Sequence, residues 1–454
     1  MEPNKRPAEE LCKEAMRLYG EKKYGEAFGL WKLAAEDNSA EAFYMLGICY
    51  NYNLGVDEAD EKKRGVCASE YFIKAADLGH ADAQCFAALC YLHGIGVEKD
   101  EMKAVELFKK SAEQNCTQAM NNMGLLCGEG IGVENPDDSA EESFAWFEKS
   151  AALGDPTGQL YTGIAYYNGS GVKRDCVEAV KRYTLAANSG LADALFRLGE
   201  CYDNGEGVEE NPIEAFKLYK QAAQKNHPKA QCYVGYCYEN GLGVARNIGE
   251  AIKWYIVSAN NNYFQAYCNL GCCYERGDGV KKDMKTAIEM YKKGAELGSL
   301  HAMHNLGNVY AFGKGVKVNN GLAVEYYSQA AENGHAEAQY NLAQHLHQGK
   351  GVKRNDEAAA YWFLQAAKQG DADAQYKIAT FFMDGTGVDE DTEEAFKWFS
   401  RAASQGDADS QYALGVCYEE GIGVEVDVEE AADWYARAAA QGNSQAKKAL
   451  KSLK

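Results

Sequence analysis

Proline is scarce in this chain of 454 residues, with six copies, and no run of 18 or more apolar residues occurs anywhere. The few prolines, with 46 glycines and 46 % apolar residues, argue against a disordered or a fibrous protein. The missing apolar run argues against a transmembrane helix. The segment Met1 to Glu10 is charged and lacks the apolar stretch of a secretory signal, so we expect a cytoplasmic protein.

Positive charge is also in short supply. The chain has 47 lysines and arginines against 67 aspartates and glutamates, which gives a net charge of −20. A surface of this sign repels phosphate backbones and anionic lipids. We therefore expect no nucleic-acid partner and no membrane insertion.

The chain is rich in one repeated motif, the tetrapeptide Gly-x-Gly-Val. Eight of the nine intervals between its ten copies are 36 residues long, and the exception is 39. A fixed period of this size indicates an array of stacked structural units. The copies begin at Gly94, Gly130, Gly169, Gly205, Gly241, Gly277, Gly313, Gly349, Gly385 and Gly421.

Each repeat contains two apolar patterns with helical spacing, which we call helix A and helix B. Positions are counted from the motif valine. Ala or Ser at −14, Gly or Ala at −9 and Tyr at −6 mark the packed face of helix A. The first motif glycine ends helix A, because glycine adopts the left-handed conformation without strain. Helix B begins after a capping residue at +3, namely Asp100, Asp175, Asn211, Asn247, Asp283, Asn319, Asn355, Asp391 and Asp427.

This pattern resembles the Sel-one-like repeat family, a relative of the tetratricopeptide repeat. The segment Ala374 to Gly406 follows the family pattern nearly position for position. The resemblance implies an all-α fold, a right-handed superhelical α/α solenoid of about twelve antiparallel helical hairpins. We predict an N-terminal capping hairpin over residues 1–38, eleven repeats over 39–442 and a C-terminal capping helix over 443–454.

Fifteen cysteines raise the question of a metal or redox site. Six of them occupy position −7, where Leu, Ala, Val and Phe also occur, so we interpret them as small buried apolar residues. No Cys-x-x-Cys pair is present, which favours buried thiols, but the sequence leaves metal binding open for one cluster. That cluster comprises Cys232, Cys237, Cys268, Cys272 and Cys273.

Five of the eight histidines lie between His301 and His347. His301 and His304 share a helical face, whereas His345 and His347 do not. Polar positions on adjoining helices are the simpler interpretation, and no catalytic motif occurs with its companions. We predict no cofactor, no metal and no catalytic residue. A metal-binding or hydrolytic enzyme that uses the Cys- and His-rich repeats is the alternative.

The family resemblance also implies that the A helices line a concave groove in which a partner binds. Position −11 is rich in amides, which can hydrogen-bond the main chain of an extended peptide, while tyrosine offers rigid contact area. The predicted contact residues at this position are Asn122, Arg197, Tyr233, Asn269, Asn305 and Asn341.

Acidic residues collect in the last turn of helix A, at positions −5 and −4. Asp203, Glu239 and Glu275 are the members that we assign to the groove. Each negative charge there opposes the helix dipole at a cost of about 0.3 to 1 kcal/mol. Because stability alone favours lysine at these positions, we predict that a basic segment of the partner docks along the row.

Together these features predict a non-catalytic scaffold or adaptor that binds protein or peptide partners along its groove. We expect a cytoplasmic monomer with a role in signalling or in the assembly of protein complexes. An effector or inhibitor that acts by protein binding is a further alternative, because a fold alone does not identify a partner.

Overall fold

The computed structural model describes residues 6–453, and all regular elements there are helices. The chain divides into two compact units, one that ends at His227 and one that starts at Pro228. The first unit contains α1 (Ala8–Gly20), α2 (Tyr24–Ala35), α3 (Ala40–Tyr52), α4 (Glu61–Asp77), α5 (Ala81–His93), α6 (Glu101–Glu113), α7 (Thr117–Gly128), α8 (Ser139–Ala152), α9 (Pro156–Asn168), α10 (Cys176–Asn188), α11 (Ala192–Asn204) and α12 (Pro212–Gln224).

The second unit has the same organisation. It contains α13 (Pro228–Asn240), α14 (Ile248–Asn260), α15 (Phe264–Arg276), α16 (Met284–Glu296), α17 (Leu300–Phe312), α18 (Asn320–Glu332), α19 (Ala336–Gln348), α20 (Asp356–Lys368), α21 (Ala372–Asp384), α22 (Thr392–Ser404), α23 (Ala408–Glu420), α24 (Val428–Ala440) and α25 (Ser444–Ser452). The odd-numbered helices from α3 to α23 are the predicted A helices. The even-numbered helices from α4 to α24 are the B helices that follow them. Each pair packs as a hairpin, and within a unit each hairpin packs on the next.

The helix boundaries predicted from the motif are confirmed. Gly205 ends α11 in the left-handed conformation, with φ of +69°. At the start of α12 the Asn211 side chain accepts the backbone N–H of Glu214 at 3.1 Å. The other eight predicted capping residues accept backbone N–H groups in the same way.

Two insertions interrupt the 36-residue period in the first unit, and each has a local structural result. A five-residue insertion near Asp57 to Arg64 precedes and begins α4, which is 17 residues long. The three extra residues between the second and third full motifs coincide with a short 3-10 helix at Pro136–Asp138. Within residues 6–453, no helix combines the length and the apolar content needed to cross a bilayer.

The core of each hairpin is an aromatic ring of helix B that lies on a small residue of helix A. A Cβ atom added to Gly235 would come within 2.6 Å of the Tyr255 ring, and one added to Gly199 within 2.7 Å of the Tyr219 ring. Both tyrosines are fully buried. Burial of a side chain of this size contributes about 2 to 3 kcal/mol. In these two hairpins the ring of helix B therefore occupies the space that a side chain on the glycine would need.

Buried glutamines join neighbouring repeats in a polar ladder. Gln339 donates a hydrogen bond to the carbonyl oxygen of Ala331 in the preceding hairpin at 3.0 Å and accepts one from Gln369 of its own hairpin at 2.8 Å. The pair Gln375 and Gln405 repeats this contact at 2.8 Å. A buried amide without partners costs about 1 to 3 kcal/mol, so the ladder stabilises one register between successive hairpins.

Candidate partner-binding face

The predicted contact residues lie on the A helices, on a surface that we call the A-helix face. It comprises the side chains at positions −11, −5 and −4 of the helices in each unit. Asn122, Arg197 and Asp203 belong to the first unit. The second unit contributes Tyr233, Glu239, Asn269, Glu275, Asn305 and Asn341. Arg197 is exposed, and the other eight are half-buried.

The asparagine row of the second unit forms hydrogen bonds across successive repeats. The amide of Asn269 donates to the Sγ of Cys232 at 3.5 Å, and the amide of Asn305 donates to the Sγ of Cys268 at 3.5 Å. Asn341 contacts the Nε2 of His304 at 3.0 Å in the same geometry. One donor of each amide is thus used inside the protein, which fixes the direction in which the side chain points.

The other three predicted contact residues at position −11 make contacts within their own helices. Asn122 donates to the carbonyl oxygen of Gln118 at 2.8 Å. Arg197 pairs with Glu200 at 3.1 Å on the exposed surface. The ring of Tyr233 lies 5.6 Å from the Nζ of Lys229. The hydrogen bonds of the asparagine row across repeats are thus those of Asn269, Asn305 and Asn341, all in the second unit.

The acidic residues at position −5 accept hydrogen bonds from buried tyrosines of helix B, a contact that the sequence analysis missed. The hydroxyl of Tyr255 donates to Glu239 at 2.6 Å, and that of Tyr291 donates to Glu275 at 2.8 Å. Asp203 receives a longer bond from Tyr219, at 3.4 Å. A hydrogen bond to a charged group contributes about 1.5 to 3 kcal/mol, which exceeds the dipole penalty of each carboxylate.

Two of these carboxylates also form ion pairs with the following repeat. Arg276 lies 2.7 Å from Glu239, and Lys314 lies 2.7 Å from Glu275. Burial acts to raise the pKa of Glu275, but the Lys314 ammonium and the tyrosine hydroxyl outweigh it and leave that pKa below its ordinary value. Burial raises the pKa of Asp203, which has no such cation. Glu239 and Glu275 therefore take part in the contacts between successive repeats.

The tyrosine contact has a signature in the sequence. Every acidic residue at position −5 is matched by a tyrosine at +11, as the pair Glu419 and Tyr435 shows again at 2.6 Å. The five repeats with phenylalanine at the equivalent place have a non-acidic residue at −5, for example Met383 with Phe399. Comparison of the two positions across repeats predicts the hydrogen bond, whereas each position taken alone does not.

The cysteine cluster is mostly buried. Cys268 and Cys272 lie on successive turns of α15, and the amide of Asn305 donates to both, at 3.5 and 3.7 Å. Cys237 and Cys273 belong to the buried core. Across residues 6–453, no set of three metal-type ligands includes a cysteine.

Histidines of neighbouring repeats meet in the second unit. The ligand atoms of His304, His335 and Glu337 lie within 4.8 Å of one another. The two imidazole rings stack with centroids 4.9 Å apart, and His304 Nδ1 lies 3.4 Å from the Glu337 carboxylate. From the sequence, histidines were compared only within one helix. The pairing of His304 with His335 of the next repeat was therefore not predicted.

The hydrogen bonds assign the protons of this cluster. Tyr327 donates to the oxygen of Asn308 at 2.7 Å, so the Asn308 amide nitrogen faces His304 Nε2, 3.3 Å away. Nε2 therefore accepts, and Nδ1 carries the proton. His335 Nδ1 accepts the backbone N–H of Ala338 at 3.2 Å, which leaves its proton on Nε2. A metal needs a lone pair on the nitrogens that face it, so this pattern favours a hydrogen-bonded cluster.

These features define a class: an all-α repeat solenoid built from helical hairpins that share polar contacts from one repeat to the next. Sel1 repeats match twelve consecutive stretches over residues 10–443. The chain belongs to the Sel1 repeat family, which confirms the predicted fold class and the resemblance. The division into an eleven-repeat array and two terminal caps stays a prediction, and residues 1–5 and 454 of those caps lie outside the described residues.

Solved and curated proteins give the same affiliation. A protective antigen of uropathogenic Escherichia coli with an SLR fold is 32 % identical, with a TM-score of 0.59, over 94 % of this chain and 90 % of that one. A Sel1 repeat protein from Oxalobacter formigenes is 30 % identical, with a TM-score of 0.51, over 71 % of this chain and 96 % of that one.

Two curated relatives carry functional names. DAP3-binding cell death enhancer 1 of Rattus norvegicus is 36 % identical over 198 residues, 35 % of this chain and 38 % of that protein. Chitin synthase regulatory factor 2 of Schizosaccharomyces pombe is 29 % identical over 206 residues, 43 % of this chain and 39 % of that protein. The aligned part thus spans about two fifths of the length of these relatives.

Removal of the Tyr255 hydroxyl tests the contact with Glu239. We expect Tyr255→Phe to lower the free energy of unfolding by about 2 kcal/mol, because the carboxylate loses a buried donor. Tyr183→Phe is the matched control, since its repeat has Tyr167 in place of the acidic residue. Urea unfolding followed by circular dichroism measures both variants. Equal losses in the two variants would contradict a specific role for the carboxylate.

His304 makes the stability of the second unit depend on pH. Burial, followed by the nearby His335, lowers the pKa of His304 from 6.5 to about 4, while Glu337 acts in the opposite direction. The unfolded chain therefore binds the extra proton between these values, and the free energy of unfolding decreases by up to about 3 kcal/mol as the pH falls through this window.

The measurement is urea unfolding at pH 7 and pH 5 for the wild type and His304→Gln. We expect the variant to lose less stability on acidification than the wild type. An unchanged slope in His304→Gln would refute this assignment.

Proposed function

We propose that the chain is a non-catalytic scaffold or adaptor that binds protein or peptide partners on the A-helix faces of its units. Membership of the Sel1 repeat family supports this proposal. So do the names of its relatives, one of which is called a binder of DAP3 and another a regulatory factor of chitin synthase. Those names describe the relatives, and the partner of this chain is a separate question.

The observation that carries the proposal is the ordered asparagine row. Asn269, Asn305 and Asn341 recur once per repeat, and each is held by a bond to the preceding repeat. Packed helices lie about 10 Å apart, which is about three residues of an extended peptide at 3.3 Å each. A row of this spacing can contact every third peptide unit. Because the side chains are already ordered, binding loses less conformational entropy.

We further propose that the partner presents a basic segment to the acidic row. Glu239 and Glu275 each pair with one cation, and 18 % and 21 % of their side chains remain accessible to a ligand. Exposed acids at position −4, Asp384 and Glu420, extend the negative surface in the same unit. Charge complementarity of this kind increases the association rate and selects partners more than it increases affinity.

The test is fluorescence anisotropy with a dye-labelled lysine- and arginine-rich peptide, measured at low and at high salt. The double variant Glu239→Gln and Glu275→Gln removes two charges but keeps an oxygen that accepts the tyrosine hydroxyl. We expect its affinity for the peptide to fall about threefold to tenfold at low salt, because two charge contacts with the peptide are lost.

A control pair on helix B distinguishes a local site from net charge. Glu289→Gln and Glu325→Gln change the same number of charges at exposed positions of α16 and α18. We expect this second double variant to bind like the wild type. If the two variants weaken binding equally, the peptide senses only the overall charge, and the acidic row is not its binding site.

A further inference from the structure

Two cysteines of the first unit, Cys85 and Cys116, meet where one repeat joins the next. Cys85 lies in α5 and is fully buried, while Cys116 is the half-buried residue directly before α7. Each thiol shifts the pKa of the other, upward for Cys85 and downward for Cys116, so the two side chains lie side by side. Neither cysteine occupies position −7 or belongs to the cysteine cluster of the second unit. The proposed partner binding gives this pair no role.

The same two positions bring side chains into contact in other repeats of the unit. Tyr44 stacks on His80 with ring centroids 4.5 Å apart, and Phe196 stacks on His227 at 5.1 Å. The repeat after the cysteine pair has the short side chains Asn121 and Asp155 at these positions, and they form a direct hydrogen bond of 2.8 Å. The fold thus places two short side chains within reach, and in one repeat both are thiols.

The surroundings of Cys116 favour its thiolate. It occupies the N-cap of the 12-residue helix α7, where backbone N–H groups and the helix dipole stabilise negative charge. The pKa of Cys116 is lowered to about 6, mainly by the Cys85 thiol and also by the Ser111 hydroxyl. Burial and the carboxylate of Asp82, 3.8 Å away, oppose this effect without cancelling it. A half-buried, low-pKa thiol beside a second thiol has the features of a peroxide-sensitive pair.

We propose that Cys85 and Cys116 form a redox pair that a peroxide oxidises to a reversible disulfide. The Cys116 thiolate sulfur attacks one oxygen of hydrogen peroxide, the O–O bond breaks, and the departing hydroxide takes a proton to become water. The Cys85 sulfur then attacks the resulting sulfenic acid, the S–O bond breaks, and the second hydroxide leaves as water with the Cys85 proton. Two thiols are oxidised, and one peroxide is reduced to two waters.

The disulfide would link the middle of α5 to the start of α7 and so close a segment that contains all of α6. This bond would hold two successive A helices at one separation. The pair is independent of the proposed partner binding, because neither cysteine belongs to the A-helix face. Its experiment therefore succeeds or fails separately from the binding experiment.

The test treats the full chain with hydrogen peroxide, blocks the remaining thiols by alkylation and maps disulfides by mass spectrometry. Trypsin places Cys85 in the peptide 75–99 and Cys116 in the peptide 111–149. Fragmentation then distinguishes them from Cys90 and Cys127 in the same peptides. We expect the two peptides to appear linked, with the loss of two hydrogen atoms, and to separate again after reduction with dithiothreitol.

Three single variants make the result specific. In Cys85→Ser we expect Cys116 to stop at a sulfenic acid that dimedone traps, and in Cys116→Ser we expect Cys85 to stay reduced. Cys176→Ser, which changes a half-buried cysteine in the first turn of α10, should still form the disulfide. At pH 7 we expect Cys116 to be alkylated about tenfold faster than Cys176.

Two outcomes would overturn the proposal. One is a wild-type protein in which Cys116 is oxidised to sulfenic or sulfinic acid without a link to Cys85. The other is a protein in which both cysteines remain reduced at peroxide doses that already oxidise Cys176. Circular dichroism of each serine variant verifies that the helices remain folded, so that a loss of the disulfide reflects the missing sulfur.

Discussion

The contact of an aromatic ring of helix B with a glycine of helix A, present in eight of the eleven A–B hairpins, is the interaction on which the rest of the structure depends. Tyr255 can lie against α13 because Gly235 has no side chain, and this close approach buries the ring completely. This contact also fixes the position of the Tyr255 hydroxyl along α13, where Glu239 accepts its hydrogen bond. The ring of Tyr255 thus makes the apolar contact, and its hydroxyl makes the polar one.

This geometry explains why carboxylates are found at helix ends where the dipole disfavours them. The tyrosine hydroxyl and a cation from the next repeat offset the dipole penalty, as Glu275 shows with its bonds to Tyr291 and Lys314. The proposed binding face is thus built from residues that also connect repeats. A partner that contacts these residues acts on the contacts between hairpins, so binding and the stability of the array are physically linked.

The features that could be predicted from the sequence are those that depend on one short segment of the chain, such as the ends of the helices. The helix boundaries follow from Gly205 and Asn211 because a left-handed residue and a capping side chain act locally. The contacts across repeats were not predicted, because they join residues about one repeat apart that were considered one column at a time. The bond between Asn341 and His304 and the meeting of Cys85 with Cys116 are of this kind. Only the packing of successive hairpins decides which side chains meet.

A double-mutant cycle on Gly235 and Tyr255 tests the central contact most directly. A methyl group on Gly235 overlaps the ring, so Gly235→Ala should be strongly destabilising in the wild type and much less so beside Tyr255→Leu, which removes the ring. The account predicts a coupling energy of about 2 kcal/mol between the two sites in urea unfolding. Losses of stability that simply add would contradict it, because they would show that the glycine and the ring do not constrain each other.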